Sequence, residues 1–295
     1  MKDGTVFVSL IVLTVIKSTF MSDNSQNKIR SKFRWAALLS LASFTLWAQP
    51  TYDNSALKNF CFADGEHLSF TVFYNMSFIW INSGSAEFNV KPEMYNGRNT
   101  YHVIGTGNTA SSFEYFYKVR DKYETYIDKE TMLPLKFKRD VQEGSLKFYH
   151  DAAFNHQTNQ VISDNKKTFN IPKGTQDVLS AIYFARNIDF TNRKIGEKIP
   201  FSMFLDDQVF NLYVEYLGKE EITTKKGTFK SIKIKPMLVA GTIFKDGDKM
   251  TIWISDDKNH LPLRVESPIL IGSVKVDLTG YANLRNPFES LISLN

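Results

Sequence analysis

Three segments of this chain recur in the same order further along it, and that repeat limits the fold more than any other feature. Gly65-Glu66-His67-Leu68-Ser69-Phe70-Thr71-Val72-Phe73 is matched 131 residues on by Gly196-Glu197-Lys198-Ile199-Pro200-Phe201-Ser202-Met203-Phe204. Gly97 and Tyr101-His102-Val103-Ile104 are matched 130 residues on by Gly227 and Ser231-Ile232-Lys233-Ile234. Tyr126-Ile127-Asp128 and Leu133-Pro134-Leu135-Lys136-Phe137 are echoed by Trp253-Ile254-Ser255 and Leu261-Pro262-Leu263-Arg264-Val265, the last block 128 residues on. Matches in one order at nearly one spacing mark an internal duplication.

The duplicated unit is β-rich. Leu68, Phe70, Val72, Tyr74 and Met76 alternate with polar residues, as do Gly84, Ala86, Phe88 and Val90. Leu212, Val214 and Tyr216, then Ile232 and Ile234, then Val274, Val276 and Leu278 repeat the pattern. Period-two alternation is the signature of antiparallel strands with one buried face. Turn residues separate the runs at Asn96-Gly97, Glu143-Gly144, Lys226-Gly227 and Asp246-Gly247-Asp248. One segment differs: in Asp177–Arg186, Val178, Ala181, Ile182 and Ala185 fall on a helical stripe, with Asp177 placed to cap it.

The expected fold class is therefore mainly β: an antiparallel, strongly curved sheet or partial barrel of two duplicated halves, with one connecting helix against its concave face. The boundaries read as 1–48 signal region, 49–176 first β half, 177–188 helix and 189–295 second β half, the parts forming one continuous unit.

The N-terminus has the anatomy of an export signal. Val6–Ile16 and Trp35–Trp47 are apolar runs of 11 and 13 residues, both below the roughly 18–20 that span a bilayer. Lys28, Arg30, Lys32 and Arg34 supply a basic region before the second run, which ends at a small residue, Ala48, before Gln49. The expectation is a start at Met21, residues 1–20 being a mis-assigned upstream start, and a mature chain beginning at Gln49 in the periplasm or outer-membrane periphery of a Gram-negative bacterium. A first hydrophobic anchor at Val6–Ile16 is the alternative. Six of the 36 basic and two of the 31 acidic residues lie in 1–48, leaving a net of +1 on the rest. A concentrated basic face is therefore not indicated, and nucleic acid is not an expected partner. The single cysteine, Cys61, cannot form an internal disulfide and reads as a small buried residue.

Catalytic signatures are missing from the sequence. It holds no phosphate-binding Gly-x-x-x-x-Gly-Lys-Ser/Thr loop and no Gly-x-Ser-x-Gly elbow, so neither nucleotide nor cofactor is expected. His67, His102, His150, His156 and His260 form no ligand pair at helical spacing, and no metal is expected. Aromatic bulk is the other resource, with 24 Phe, 13 Tyr and 4 Trp. Phe113, Tyr115, Phe116, Tyr117, Tyr123 and Tyr126 crowd one region, and Phe73, Phe78, Ile79, Trp80 and Ile81 another; they serve either an apolar groove or an aromatic core. A long strand is expected from Tyr115 to Asp128. Asp121 shares the inward parity of Tyr115, Tyr117 and Tyr123, and Arg139 that of Leu135 and Phe137. A buried charge needs a partner, so Asp121 and Arg139 are expected to meet across the sheet unless a bulge turns one outward.

Phe116-Tyr117-Lys118-Val119-Arg120-Asp121-Lys122-Tyr123-Glu124, with Tyr126-Ile127-Asp128, resembles the exported bacterial domain-of-unknown-function 3108 family. Asp177–Arg186 resembles that family's helix and Gly65-Glu66 its opening. The Tyr-Ile-Asp…Leu-Pro-Leu pattern is also similar to strand pairs of periplasmic lipoprotein carriers, which are half-open barrels with a helical lid. The resemblance implies fold and compartment, not an activity. The functional expectation is a non-catalytic envelope protein that binds a lipid or lipoprotein acyl chain, with Tyr115, Tyr117, Asp121, Tyr123, Arg139 and Tyr183 as candidate ligand-binding residues. Two alternatives stand beside it: an outer-membrane assembly partner that pairs with an envelope protein, and an unrecognised hydrolase using Asp121 or Glu143.

Overall fold

The computed structural model describes residues 57–76, 79–237, 250–268 and 272–295. The signal region with its expected cleavage site, Phe78 and the Asp246-Gly247-Asp248 turn lie outside the described residues. The first half comprises β1 (His67–Met76), β2 (Ile79–Tyr95), β3 (Arg98–Thr109), β4 (Val119–Asp128), β5 (Pro134–Glu143), β6 (Leu146–Asn155), β7 (Gln160–Ser163) and β8 (Thr168–Asn170). Then come α1 (Val178–Arg186), β9 (Lys198–Leu205), β10 (Gln208–Thr224), β11 (Gly227–Pro236), β12 (Thr251–Ser255), β13 (Pro262–Pro268), β14 (Ser273–Ala282) and β15 (Leu291–Ser293).

Each half is an antiparallel meander. The two meanders join through β1 and β14, giving one sheet in the order β8-β7-β6-β5-β4-β3-β2-β1-β14-β13-β12-β11-β10-β9, with β15 added to β11. At the junction Phe70 faces Leu278 and Val72 faces Val276. The alternating residues Leu68, Phe70, Val72 and Tyr74 of β1, with those named above for β2, β10, β11 and β14, are buried. Register shifts at Ser69/Phe70, Val72/Phe73, Tyr126/Ile127 and Tyr216/Gly218 add twist and bend the strands. The sheet curls until its ends approach without a strand ladder between them. Gln176 bridges to β9, its N–H donating to Ser202 O and its O accepting from Phe204 N, both at 2.8 Å. Phe204 packs against Phe169 and Phe154, at 5.4 and 6.2 Å between ring centres. The result is a partial barrel whose main hydrophobic cluster draws on both halves.

The duplication extends to backbone detail. Gly65 and Gly196 both take positive φ, +87° and +86°, a region open to glycine at little cost. Gly65 N donates to Val90 O, and Glu66 O accepts from Val90 N; Gly196 and Glu197 make the same two bonds with Tyr216. In the second echo, Asp128 N donates to Leu133 O and Ser255 N to Leu261 O. The residue before each leucine, Met132 and His260, is left-handed at φ 58° and 44°. The sequence echo thus preserves turns that need an unusual backbone.

α1 begins where the sequence indicated. Asp177 Oδ1 accepts from Leu179 N and Ser180 N, both at 2.8 Å, and Ser180 Oγ accepts from Asp177 N at 2.9 Å, completing a capping box. Thr125 Oγ1 on β4 donates to Asp177 Oδ2 at 2.6 Å, tying the helix start to the first half. The helix end is held at the turn before β13, where Arg186 Nη2 donates to Asn259 O at 3.1 Å. One strand boundary departs from expectation: β4 starts at Val119, not Tyr115. Phe116 N and Tyr117 N donate back to Phe113 O, so this segment makes local turns in place of a strand ladder.

Candidate functional site

α1 lies inside the curve of the sheet with two different sides. Leu179, Tyr183 and Phe184 are packed to 1% exposure or less. Ala181, Ile182 and Ala185, the stripe expected to seat the helix, are only half-buried. They form one wall of an apolar cavity of about 120 Å³ between the helix and the second half of the sheet. Facing them are Phe201 and Met203 of β9, Leu212 and Val214 of β10, Ile234 of β11, Ile252 and Ile254 of β12, and Val265 of β13. Met237 and Met250 stand at one end of the lining. A smaller void of about 40 Å³ continues the space toward Phe70, Ala86 and Phe88 of the first half, sharing Ile182, Pro262 and Val265 with the larger one. Three lining residues are methionines, whose flexible thioethers fit irregular contents.

Among the described residues Arg186 is the one charged residue of the lining. Its guanidinium is committed to Glu66 through two bonds of 2.7 and 2.8 Å. Glu66 holds the arginine proton more firmly than usual, against the opposing effect of burial. Behind it, Cys61 Sγ–H and His260 Nδ1–H both donate to Arg186 O, at 2.7 and 2.6 Å. Burial pushes the Cys61 thiol up to about 12, with Arg186 only partly offsetting it. A histidine that donates Nδ1–H to a carbonyl is not placed to take the thiol proton, so this pair is a structural tie rather than an activated nucleophile.

The six candidate ligand residues do not gather around the cavity, and none is among its lining. Tyr115 is 93% exposed in the turn before β4. Tyr117 is half-buried over the β5–β6 turn, close to Gly144; burial, then Glu143 and Asp121, push its hydroxyl up to about 12. Tyr123 is buried beside Phe137, with 6.3 Å between ring centres. Tyr183 is buried against Phe62 at 4.6 Å. Asp121 and Arg139 are both buried on the inner face, but the register corrects the expected pairing. Asp121 stands opposite Val141 and Tyr123 opposite Arg139, leaving the two charges diagonal. Asp121 Oδ1 accepts from Gln142 N at 3.0 Å. Arg139 Nη2 reaches Asp206 in the β9–β10 turn, a residue of the other half. The second aromatic group also sits elsewhere than in a groove: Phe73 is buried beneath Lys225 and Lys275, and Ile79, Trp80 and Ile81 are exposed.

The lining residues carry no sequence signal of their own. Phe201, Leu212 and Val265 obey the same alternation as residues packed solidly elsewhere. Only the helical stripe was visible, through the helical period of Val178, Ala181, Ile182 and Ala185. Among the described residues no group of three or more His, Cys, Asp or Glu is placed to hold a metal ion.

The family model described as a protein of unknown function, DUF3108, matches residues 69–279. No curated protein matches the chain. Among solved structures, the chain is similar to a β-barrel-like protein of the domain of unknown function DUF1849 from Brucella abortus, at 10% identity and TM-score 0.48, covering 76% of this chain and 99% of that one. A candidate lipoprotein from Parabacteroides distasonis matches at 12% identity and TM-score 0.36, covering 79% and 100%. A candidate exported protein with a YmcC-like fold from Bacteroides fragilis matches at 9% identity and TM-score 0.35, covering 77% and 100%.

Proposed function

The chain belongs to the DUF3108 family, and we propose that it is a non-catalytic envelope protein that holds an apolar ligand, a lipid or an acyl chain, between α1 and the second half of its sheet. The observation that carries this reading is the cavity itself. Among the described residues its walls are aliphatic, aromatic and thioether side chains, and the one charge, on Arg186, is paired with Glu66. Such a site offers an occupant mainly hydrophobic burial, which favours hydrocarbon.

Size refines the reading. An engineered apolar cavity of about 150 Å³ holds benzene, so this one takes a short stretch of chain as it stands. Ile182, Pro262 and Val265 line both this cavity and the smaller void beside it. The polar end of an amphiphile would remain outside, near Met237 and Met250. Export rests on the anatomy of the signal region, with its basic residues, short apolar run and Ala48-Gln49. The assembly alternative, pairing through a sheet edge, has less to work with: β8 is three residues long and β9 is bridged by Gln176.

Titration with a fluorescent fatty acid tests the proposal. The protein should bind it saturably, and Ala181→Phe, which fills the cavity from a half-buried position, should abolish binding while the protein stays folded. Equal binding by the filled variant would overturn the assignment.

A further inference from the structure

The molecule has an apolar end. β1 finishes and β2 starts at one end of the sheet, where Asn75 faces Ser273 of β14 and Ser273 faces Pro268 of β13. β3 ends there too, Thr109 facing Gly84, and the turn leading to β4 is tied to it by Ala110 N donating to Ser83 O at 3.0 Å. At this end Ile79, Trp80 and Ile81 are 67%, 39% and 39% exposed. In the neighbouring turn Tyr115 and Phe116 are 93% and 69% exposed. β11 ends and β12 starts at the same end, so Met237 and Met250 bring the cavity lining toward it.

Three consecutive exposed residues on a strand are informative. Successive side chains point to opposite faces, so both faces of β2 at Ile79–Ile81 are apolar and each is exposed in part. Core packing does not account for them, and a rigid protein surface covers only one face of a projecting strand. A fluid apolar phase surrounds both. Trp80 is also paired with a cation, Lys275 Nζ lying 4.2 Å from its ring centre. An indole beside an ammonium suits the boundary where acyl chains meet phosphate headgroups. Two adjacent tips carrying Trp, Tyr, Phe and Ile give that boundary two points of entry.

We propose that this end of the molecule docks on the interfacial zone of a phospholipid bilayer, with Ile79, Trp80, Ile81, Tyr115 and Phe116 entering it. The inference stands on exposure and topology and does not depend on the cavity being filled.

Flotation with vesicles of phosphatidylethanolamine and phosphatidylglycerol tests it, with brominated acyl chains in a parallel sample. The protein should float, and the brominated chains should quench the emission of Trp80 in a Trp253→Phe background of the chain from Gln49, where it is the one tryptophan left. The Trp80→Glu/Phe116→Glu variant should partition about tenfold or more weakly; both positions are exposed, so circular dichroism should be unchanged. Ala181→Phe, with its cavity filled, should float as the unmodified protein does. Failure of the unmodified protein to float would overturn the proposal, as would equal flotation of the double variant. Flotation lost in Ala181→Phe but kept in Trp80→Glu/Phe116→Glu would also overturn it, because the vesicles would then be held through the cavity. A dimer that splits on Trp80→Glu/Phe116→Glu, without flotation, would assign the apolar end to a second copy instead.

Discussion

Arg186, at the end of α1, and Glu66, just before β1, form a two-pronged ion pair with side-chain exposures of 2% and 0%. The same arginine donates to Asn259 O, and its own carbonyl receives Cys61 and His260. One residue therefore fixes the helix end to the opening of the first half and to a turn of the second.

Removing either partner of that pair leaves a buried charge without its counterpart. Arg186→Ala and Glu66→Ala should each cost roughly 3–5 kcal/mol. The double variant should cost less than the sum, since the second change removes the orphan left by the first. Denaturant unfolding of all four proteins measures this. Small additive losses would mean that the pair does not anchor the helix.

Asp177 gives stability a pH dependence of defined sign. Burial pushes its carboxyl up from 3.8 to about 6, against hydrogen bonds from Thr125, Ser180 and Leu179 that favour the ionised form. The folded state thus binds the proton more tightly than the unfolded state. Its contribution is fully present below the ordinary carboxyl range and is lost as pH rises through about 6. Asp177→Asn keeps a capping oxygen and removes the titration. Relative to that variant, the unmodified protein should lose up to roughly 3 kcal/mol across this window. Parallel stability curves for the two proteins would contradict the assignment.

The ion pair to test on the inner face of the first half is Arg139–Asp206. Asp206 belongs to the β9–β10 turn, so the pair links β5 to the opposite end of the sheet. A double-mutant cycle with Arg139→Met and Asp206→Asn should give a coupling of about 1–3 kcal/mol. A cycle between Asp121 and Arg139 should give less, because their register is diagonal. The reverse ranking would show that the closure is not made here.

Gly227 is required for a close approach. Its φ is +141°, and a Cβ there would collide with Ser293 O of β15. Gly227→Ala should detach β15 from β11 while leaving the main sheet intact. Faster amide exchange confined to Thr228, Phe229 and residues 290–295 would show it; unchanged exchange would not fit the geometry.

The legible parts of this fold were those set by local periodicity and backbone need. Leu68, Phe70 and Val72 announce a strand, and the Gly65/Gly196 echo marks two turns that require positive φ. The helix was visible with its cap. Its seating was not, because α1 has protein on both sides and a 3.6-residue period does not say which side is packed solid. The start of β4 was misread because Tyr115 and Tyr117 alternate as in a strand although their segment bonds to itself. Register was beyond reach: the shift at Tyr126/Ile127 is set by a bulge that no single residue declares. Asp206, the partner of Arg139, lies 67 residues away along the chain, brought near only by the curl of the whole sheet. The cavity itself is a defect in packing, and alternation records which residues face inward, not how completely they fill the space.

Native mass spectrometry of the protein purified from its own envelope, followed by extraction and identification of any bound lipid, tests the central claim most directly. The account predicts one apolar ligand at defined stoichiometry, absent from Ala181→Phe purified in the same way. A protein that carries no lipid, takes up none when fatty acid is added, and behaves as the filled variant does would contradict it.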